Sequence, residues 1–400
     1  MAAMEKNNKN LNVPNLRFPE FSGEWKETTI GECCSELEYG MNAPSKYFDG
    51  VNKYIRITDI DEQTSEYKQD SVVSPDAPLE DKYIVKDRDI LFARTGASTG
   101  KTYLYNPLDG KMYYAGFLIR ANVKMEDNPK FVFHQTQTHR YKKWVSIMSM
   151  RSGQPGINSQ EYASYKFWKP CKDEQDKISA LISLLDTRIQ TQKKIIEDLK
   201  KLKDAITHFH YRNELSHSPM VYIGQYITQV SQRNKDAKID RVLSVSKKYG
   251  FINQDEQFED REVASADTSN YKVVHKGDFA YNPARINVGS VARLQEFENG
   301  IVSPMYVCFT AKKGLLPAYF ELYLSTSIFK HEMNKRLEGS VRLCLTYESL
   351  CNIKIALPEF NVQKAFVSKV SAILTKIRAE ERLLYLYHNC KQYLLSQMFI

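Results

Sequence analysis

The chain has 400 residues, 42% hydrophobic and 12% aromatic, a formal net charge of +8 and a pI near 8.8. That length and apolar content fit two or three globular domains and exclude a disordered chain. The positive charge is compatible with a polyanionic partner without specifying one. Seven cysteines, an odd number with Cys33 and Cys34 adjacent and no Cys-x-x-Cys spacing, exclude a disulfide framework and point to reduced thiols. No apolar run approaches the ~18 residues that a membrane span needs, and no charged-then-apolar leader opens the chain. The expectation is a soluble, cytoplasmic protein.

Residues 1–17 are polar and rich in Asn and Lys and are expected to form a loose tail. Residues 18–170 follow as a first globule, and several of its segments return in residues 214–357. Ile30-Gly31-Glu32 is answered by Ile223-Gly224-Gln225. Tyr54-Ile55-Arg56-Ile57 and Arg241-Val242-Leu243-Ser244-Val245 read as β-branched strands. Asp89-Ile90-Leu91-Phe92 matches Asp278-Phe279-Ala280-Tyr281, and Pro129 with its aromatics matches Pro317 with Tyr319 and Phe320. Each globule is expected to be a mixed α/β domain.

Two long helices alternate with the globules, over 171–213 and 358–400. Ile178, Ile182, Leu185, Ile189, Ile196, Leu199 and Ile206 recur at steps of four and three, with Gln192 and Lys203 as polar gaps. That is a heptad seam. Leu181, Leu184, Ile195, Leu202 and Phe209 are expected to widen it. A shift of 188 positions gives Phe366, Val370, Ile373, Ile377, Glu380, Leu384, Tyr387, Lys391 and Leu394, with Pro170 becoming Pro358 and the expected cap Asp173 becoming Asn361. About 40 helical residues span roughly 60 Å, too long for the core of a small domain. Each helix therefore needs the other, and the order globule, helix, globule, helix makes the pair antiparallel with a pseudo-two-fold internal repeat.

No catalytic constellation emerges. Thr95-Gly96-Ala97-Ser98-Thr99-Gly100-Lys101-Thr102 resembles a phosphate loop, but the first glycine is one position too close and a strand follows where a helix should. Pro75-Asp76 with Glu80-Asp81-Lys82 has the letters of a nuclease site but the spacing of turn chemistry. His134 with His139 and His208 with His210 lack a ligand set, so no metal site is expected. Basic, amide and hydroxyl side chains do cluster in the globule loops: Arg94, Thr95, Ser98, Lys101, Arg151 and Gln154 in the first, and Lys247, Lys248, Arg285, Asn287, Arg336 and Arg342 in the second. Arg, Lys, Asn and Gln are the types that read base edges, so these twelve are the candidate DNA contacts. A coiled-coil scaffold that ignores DNA, or an autonomous NTPase or nuclease, are the competing readings; unmatched loops on two related heads argue against the scaffold.

With Phe92-Ala93-Arg94-Thr95-Gly96, the strand Tyr54 to Ile60, and Pro170 to Leu185 repeated from Pro358, the chain resembles the specificity (S) subunit of type I restriction-modification systems over about residues 14–400. The resemblance implies two target-recognition domains that each read half of a split site on double-stranded DNA in a prokaryotic host-defence system. It implies helices that set the gap and dock two modification subunits, which methylate adenine, and restriction subunits, which translocate and cleave. S-adenosylmethionine, ATP and Mg are then expected on those partners, with no cofactor and no catalytic site on this chain. Lys193, Lys194, Lys200, Arg378 and Arg382 are the candidate docking residues.

Overall fold

The computed structural model describes residues 12–62, 64–150, 154–247, 249–254, 267–339 and 342–400. The fold is mixed α/β. Two compact units divide the chain, one comprising Met1–Lys193 with Leu383–Ile400, the other Lys194–Arg382. Each takes about half of each long helix. Among the described residues, no helix is long and apolar enough to cross a membrane.

The first unit centres on an antiparallel four-stranded sheet in the order Glu38–Tyr39, Leu118–Asn122, Asp89–Ala93, Thr102–Leu104. The second has the counterpart Ile227–Val230, Val307–Ala311, Phe279–Tyr281, Val291–Arg293. The central strands are buried along their whole length: Ile90, Leu91 and Phe92 in one unit, Phe279, Ala280 and Tyr281 in the other. A parallel pair accompanies each sheet, Tyr54 beside Tyr113 in the first unit and Val242 beside Ile301 in the second. The strands expected at Tyr54 and Val242 thus occupy equivalent places, but the first is shorter than expected: it ends at Ile55, and a 3-10 turn over Ile57–Asp59 follows.

The Ile-Gly repeat has a packing reason. Ile30 and Ile223 are fully buried. A Cβ on Gly31 would lie 3.1 Å from Ala163 Cβ, and one on Gly224 only 2.7 Å from Cys351 Cβ. Both glycines admit a close approach that a side chain would block.

The long helices run Lys172–His217 and Phe360–Met398. The first continues past the expected end at residue 213. The caps also differ: Asp173 and Asn361 lie inside the first turns, because the Gln175 N–H already donates to the Cys171 carbonyl and the Gln363 N–H to the Glu359 carbonyl. Within the first unit Ile178, Ile182, Leu395 and Met398 share one core, and Lys391 Nζ meets Asp186 at 2.6 Å. Within the second, Tyr211, Phe366 and Val370 share a core, and Lys200 Nζ meets Glu381 at 2.7 Å. Position rises on one helix as it falls on the other, so the pairing in each unit is antiparallel. Of the residues expected to widen the seam, Leu184, Ile195, Leu202 and Phe209 are exposed instead. They lie off the line of Ile178, Ile182, Ile189 and Ile196, which is buried. The polar gaps are of two kinds. Gln192 and Glu380 are buried, and Lys203 turns aside to Asp204 at 2.9 Å.

A repeated glutamine fastens head to helix. Gln175, 1% exposed, accepts from the Asn128 N–H at 2.9 Å and donates to the Pro170 carbonyl at 3.1 Å and to Asp127 at 2.9 Å. Gln363, 0% exposed, accepts from the Leu316 N–H at 2.8 Å and donates to the Pro358 and Gly314 carbonyls, both at 2.9 Å. Each amide thereby ties the start of a long helix to the residue preceding Pro129 or Pro317. Replacing either Gln by Leu orphans a buried N–H and buried acceptors, each worth about 1–3 kcal/mol. Gln175→Leu is expected to cost the first unit about 3 kcal/mol and Gln363→Leu to do the same in the second. Hydrogen exchange resolved by segment reads the loss, and an unaltered profile in the affected unit would refute the fastening role.

Residues 12–17, expected within a loose tail, are held in place. The Leu16 N–H donates to the Gln397 carbonyl at 2.9 Å. Arg17 makes a two-pronged bond to Glu174 at 2.8 and 2.7 Å, and that carboxylate is fully buried.

Candidate nucleic-acid interface

In the first unit the strand Asp89–Ala93 runs out into residues 94–101, which fold over residues 154–157. The Ile157 N–H donates to the Arg94 carbonyl at 2.9 Å, the Gly96 N–H to the Pro155 carbonyl at 2.9 Å, and the Thr99 N–H to the Gly96 carbonyl at 3.0 Å. Thr95 forms an isolated bridge with Gly156. Gly96 needs its positive φ of 70° to make the turn, a conformation glycine adopts at little cost. Arg94, Thr95, Ser98 and Gln154 are thereby gathered on one rim. The Arg94 guanidinium lies over the Tyr39 ring, 4.7 Å from its centroid, which orients it without neutralising it.

The second unit repeats the device. The Leu345 N–H donates to the Pro283 carbonyl at 3.1 Å, and Tyr281 Oη donates to the Leu345 carbonyl at 3.2 Å. These bonds bring residues 282–290 against Leu345, so the loop of Arg285 and Asn287 adjoins the segment that follows Arg342. Lys247 adjoins that loop, because its stem lies 3.0 Å from where a Cβ on Gly289 would be. Among the described residues, Arg94, Lys247, Arg285 and Arg342 have no carboxylate within ion-pair distance, leaving four cations available to phosphate or base-edge acceptors.

Other candidates stand differently. Lys101 turns away from the rim to Glu62 at 3.3 Å. Arg336 is engaged by Glu332 one helical turn earlier, at 2.8 Å. Arg151 and Lys248 lie outside the described residues. The segment Thr95 to Thr102 continues into the strand Thr102–Leu104, where a phosphate loop would open a helix. Asp76 faces Lys46 and Glu80 faces Lys82 on the surface, as turn residues do. His134 is buried in the first unit, where desolvation pushes it down to about 3, so it stays neutral. His210 stacks on Phe366 at 3.7 Å. Among the described residues, no cluster of three or more His, Cys, Asp or Glu could hold a metal ion.

On the long helices, Lys194, Arg378 and Arg382 are exposed. Lys200 is paired to Glu381, and Lys193 lines a cleft of the first unit with a volume of about 980 Å³. The apolar residues on the helix surface were missed as docking candidates. Phe209 is 73% exposed, and Leu202 in the second unit and Tyr385, Leu386 and Tyr393 in the first are exposed as well. The rim residues missed are Tyr39, Phe117 and Met305, large side chains left in solvent beside the loops. The signal for the last two was their shared offset of 188.

Residues 22–201 match the family model described as the type I restriction modification DNA specificity domain. Over 408 aligned residues, covering 92% of this chain and 90% of the relative, the chain is 24% identical to the type I restriction enzyme MjaVIII specificity subunit of Methanocaldococcus jannaschii. The crystal structure of a type I restriction-modification system S subunit from M. genitalium is similar with a TM-score of 0.58 at 14% identity, over 97% of this chain and 99% of that one. A chain from a study of complex assembly and conformational transition of the type I R-M system gives 0.56 at 15% identity, over 94% and 97%.

Proposed function

We propose that this chain, similar over residues 22–201 to the type I restriction modification DNA specificity domain, is the specificity subunit of such a system, and that each of its two units reads one half of a split target on double-stranded DNA. The observation that carries the reading is the pair of equivalent rims, where Arg94 and Gln154 in one unit, and Arg285, Asn287 and Arg342 in the other, stand at the ends of equivalent sheets, the arginines with no carboxylate partner among the described residues. The scaffolds repeat while the rim residues differ, which suits two heads reading different bases. Base edges supply specificity, and phosphates supply affinity with a steep salt dependence.

The long helices, shared between the units, set the gap between the half-sites. Their exposed Leu202, Phe209, Tyr385 and Tyr393, with Lys194, Arg378 and Arg382, dock two modification subunits and the restriction subunits. Apolar side chains left in solvent on a helix suit a partner helix better than cations alone. S-adenosylmethionine, ATP and Mg reside on those partners, and this chain contributes recognition without a catalytic centre.

Long-read mapping of methylated adenines in a cell carrying the complex tests this reading. The expected motif has two short specified parts separated by a fixed unspecified gap. A single continuous motif would overturn it.

A further inference from the structure

We propose that Phe117 and Met305 are apolar wedges, one per half-site, that enter the base stack of the target. The inference rests on the reading that the two rims meet DNA. Phe117 is 58% exposed and Met305 61%. A single exposed apolar side chain is ordinary on a protein surface. Recurrence is what sets these two apart. Both occupy the third position of a β-turn, closed by the Leu118 N–H on the Ala115 carbonyl at 2.8 Å and by the Tyr306 N–H on the Ser303 carbonyl at 3.0 Å. Both turns lead into the sheet strand beside the central one, Leu118–Asn122 and Val307–Ala311. The turn sequences differ, Gly-Phe in one and Pro-Met in the other, yet each keeps a bulky apolar tip.

Each turn is anchored from behind. Leu118, Ile119 and Cys308 are fully buried in the following strands, so the tip stands on a rigid base. The Phe117 carbonyl accepts from the Arg94 N–H at 3.0 Å. Met305 Sδ lies 3.6 Å from Asn282 Nδ2, on the loop that carries Arg285. Each apolar tip therefore adjoins the loop that carries a cation with no carboxylate partner among the described residues, Arg94 in one unit and Arg285 in the other. That pairing matches a duplex, whose phosphates would hold the cation while the stacked bases offer the apolar medium. Phe and Met are among the side chains that enter base steps and open them.

The test uses the chain in complex with its modification subunits, on duplexes carrying 2-aminopurine at each A·T pair in and beside the mapped half-sites. Unstacking brightens this base. The unsubstituted complex is expected to brighten one step in each half several-fold. Phe117→Ala removes the signal in one half only and Met305→Ala in the other, each with binding roughly tenfold weaker, while Phe117→Trp keeps it. Circular dichroism of the variants should match the unsubstituted chain, since both tips are exposed. A bound complex with no brightening, or brightening that neither alanine alters, overturns the wedge and leaves an ordinary base-edge contact. Failure of the unsubstituted complex to bind any duplex overturns the DNA reading itself, and the wedge with it.

Discussion

Removing residues 395–400 is expected to unfold the first unit. Leu395, Met398 and Phe399 are buried in its core with Trp25, Phe131 and Ile178. Phe399 stacks on Phe131 at 5.2 Å between ring centroids, and Arg140 donates to the Ile400 carbonyl at 2.9 Å. Emptying three such positions costs roughly 2–5 kcal/mol each, which together rivals the whole stability of a typical domain. The truncated chain should lose hydrogen-exchange protection throughout residues 12–193, whereas residues 194–357 keep theirs. Retained protection around Phe92 and Phe131 would show that these last residues only decorate the surface. In a cell, adenine methylation at the split site should be abolished.

Deleting one heptad from each long helix is expected to shorten the tolerated gap by about three base pairs, because seven residues rise about 10 Å and each pair occupies about 3.4 Å. A whole heptad keeps the seam of Ile178, Ile182, Ile189 and Ile196 facing its partner, so each unit should retain its packing. The half-site sequences should not change, since the rims at Arg94 and Arg285 are untouched. An unaltered gap in the methylation map would show that something other than helix length sets the spacing.

What was legible beforehand follows from which signals are local. The helices were readable because burial imposes steps of four and three on Ile178 through Ile206, and the second copy at Phe366 repeats them. Their starts were placed to within two residues, but the caps were misassigned to Asp173 and Asn361, since what ties each start to its head is the amide of Gln175 or Gln363. That amide acts on residues 47 positions away. The sheet strands were readable from apolar runs such as Ile90 to Phe92. The part played by Phe399 was not readable, because its partner Phe131 is distant in sequence and no pattern links them. Among the rim residues, Arg94 and Arg285 were found by type and matched loops. Arg336 could have been demoted by its i,i+4 partner Glu332, a pairing visible in the sequence itself. Phe117 and Met305 escaped because a large apolar side chain carries no donor or acceptor that would mark it as a base-edge contact.

Exchange of one head tests the central claim most directly. Residues 218–357 would be replaced by the equivalent segment of a relative with a different target, and methylated adenines mapped by long-read sequencing. One part of the motif should change to the donor's, with the other part and the gap preserved. A change in both parts, or in neither, would contradict a division of the target between two independent reading units.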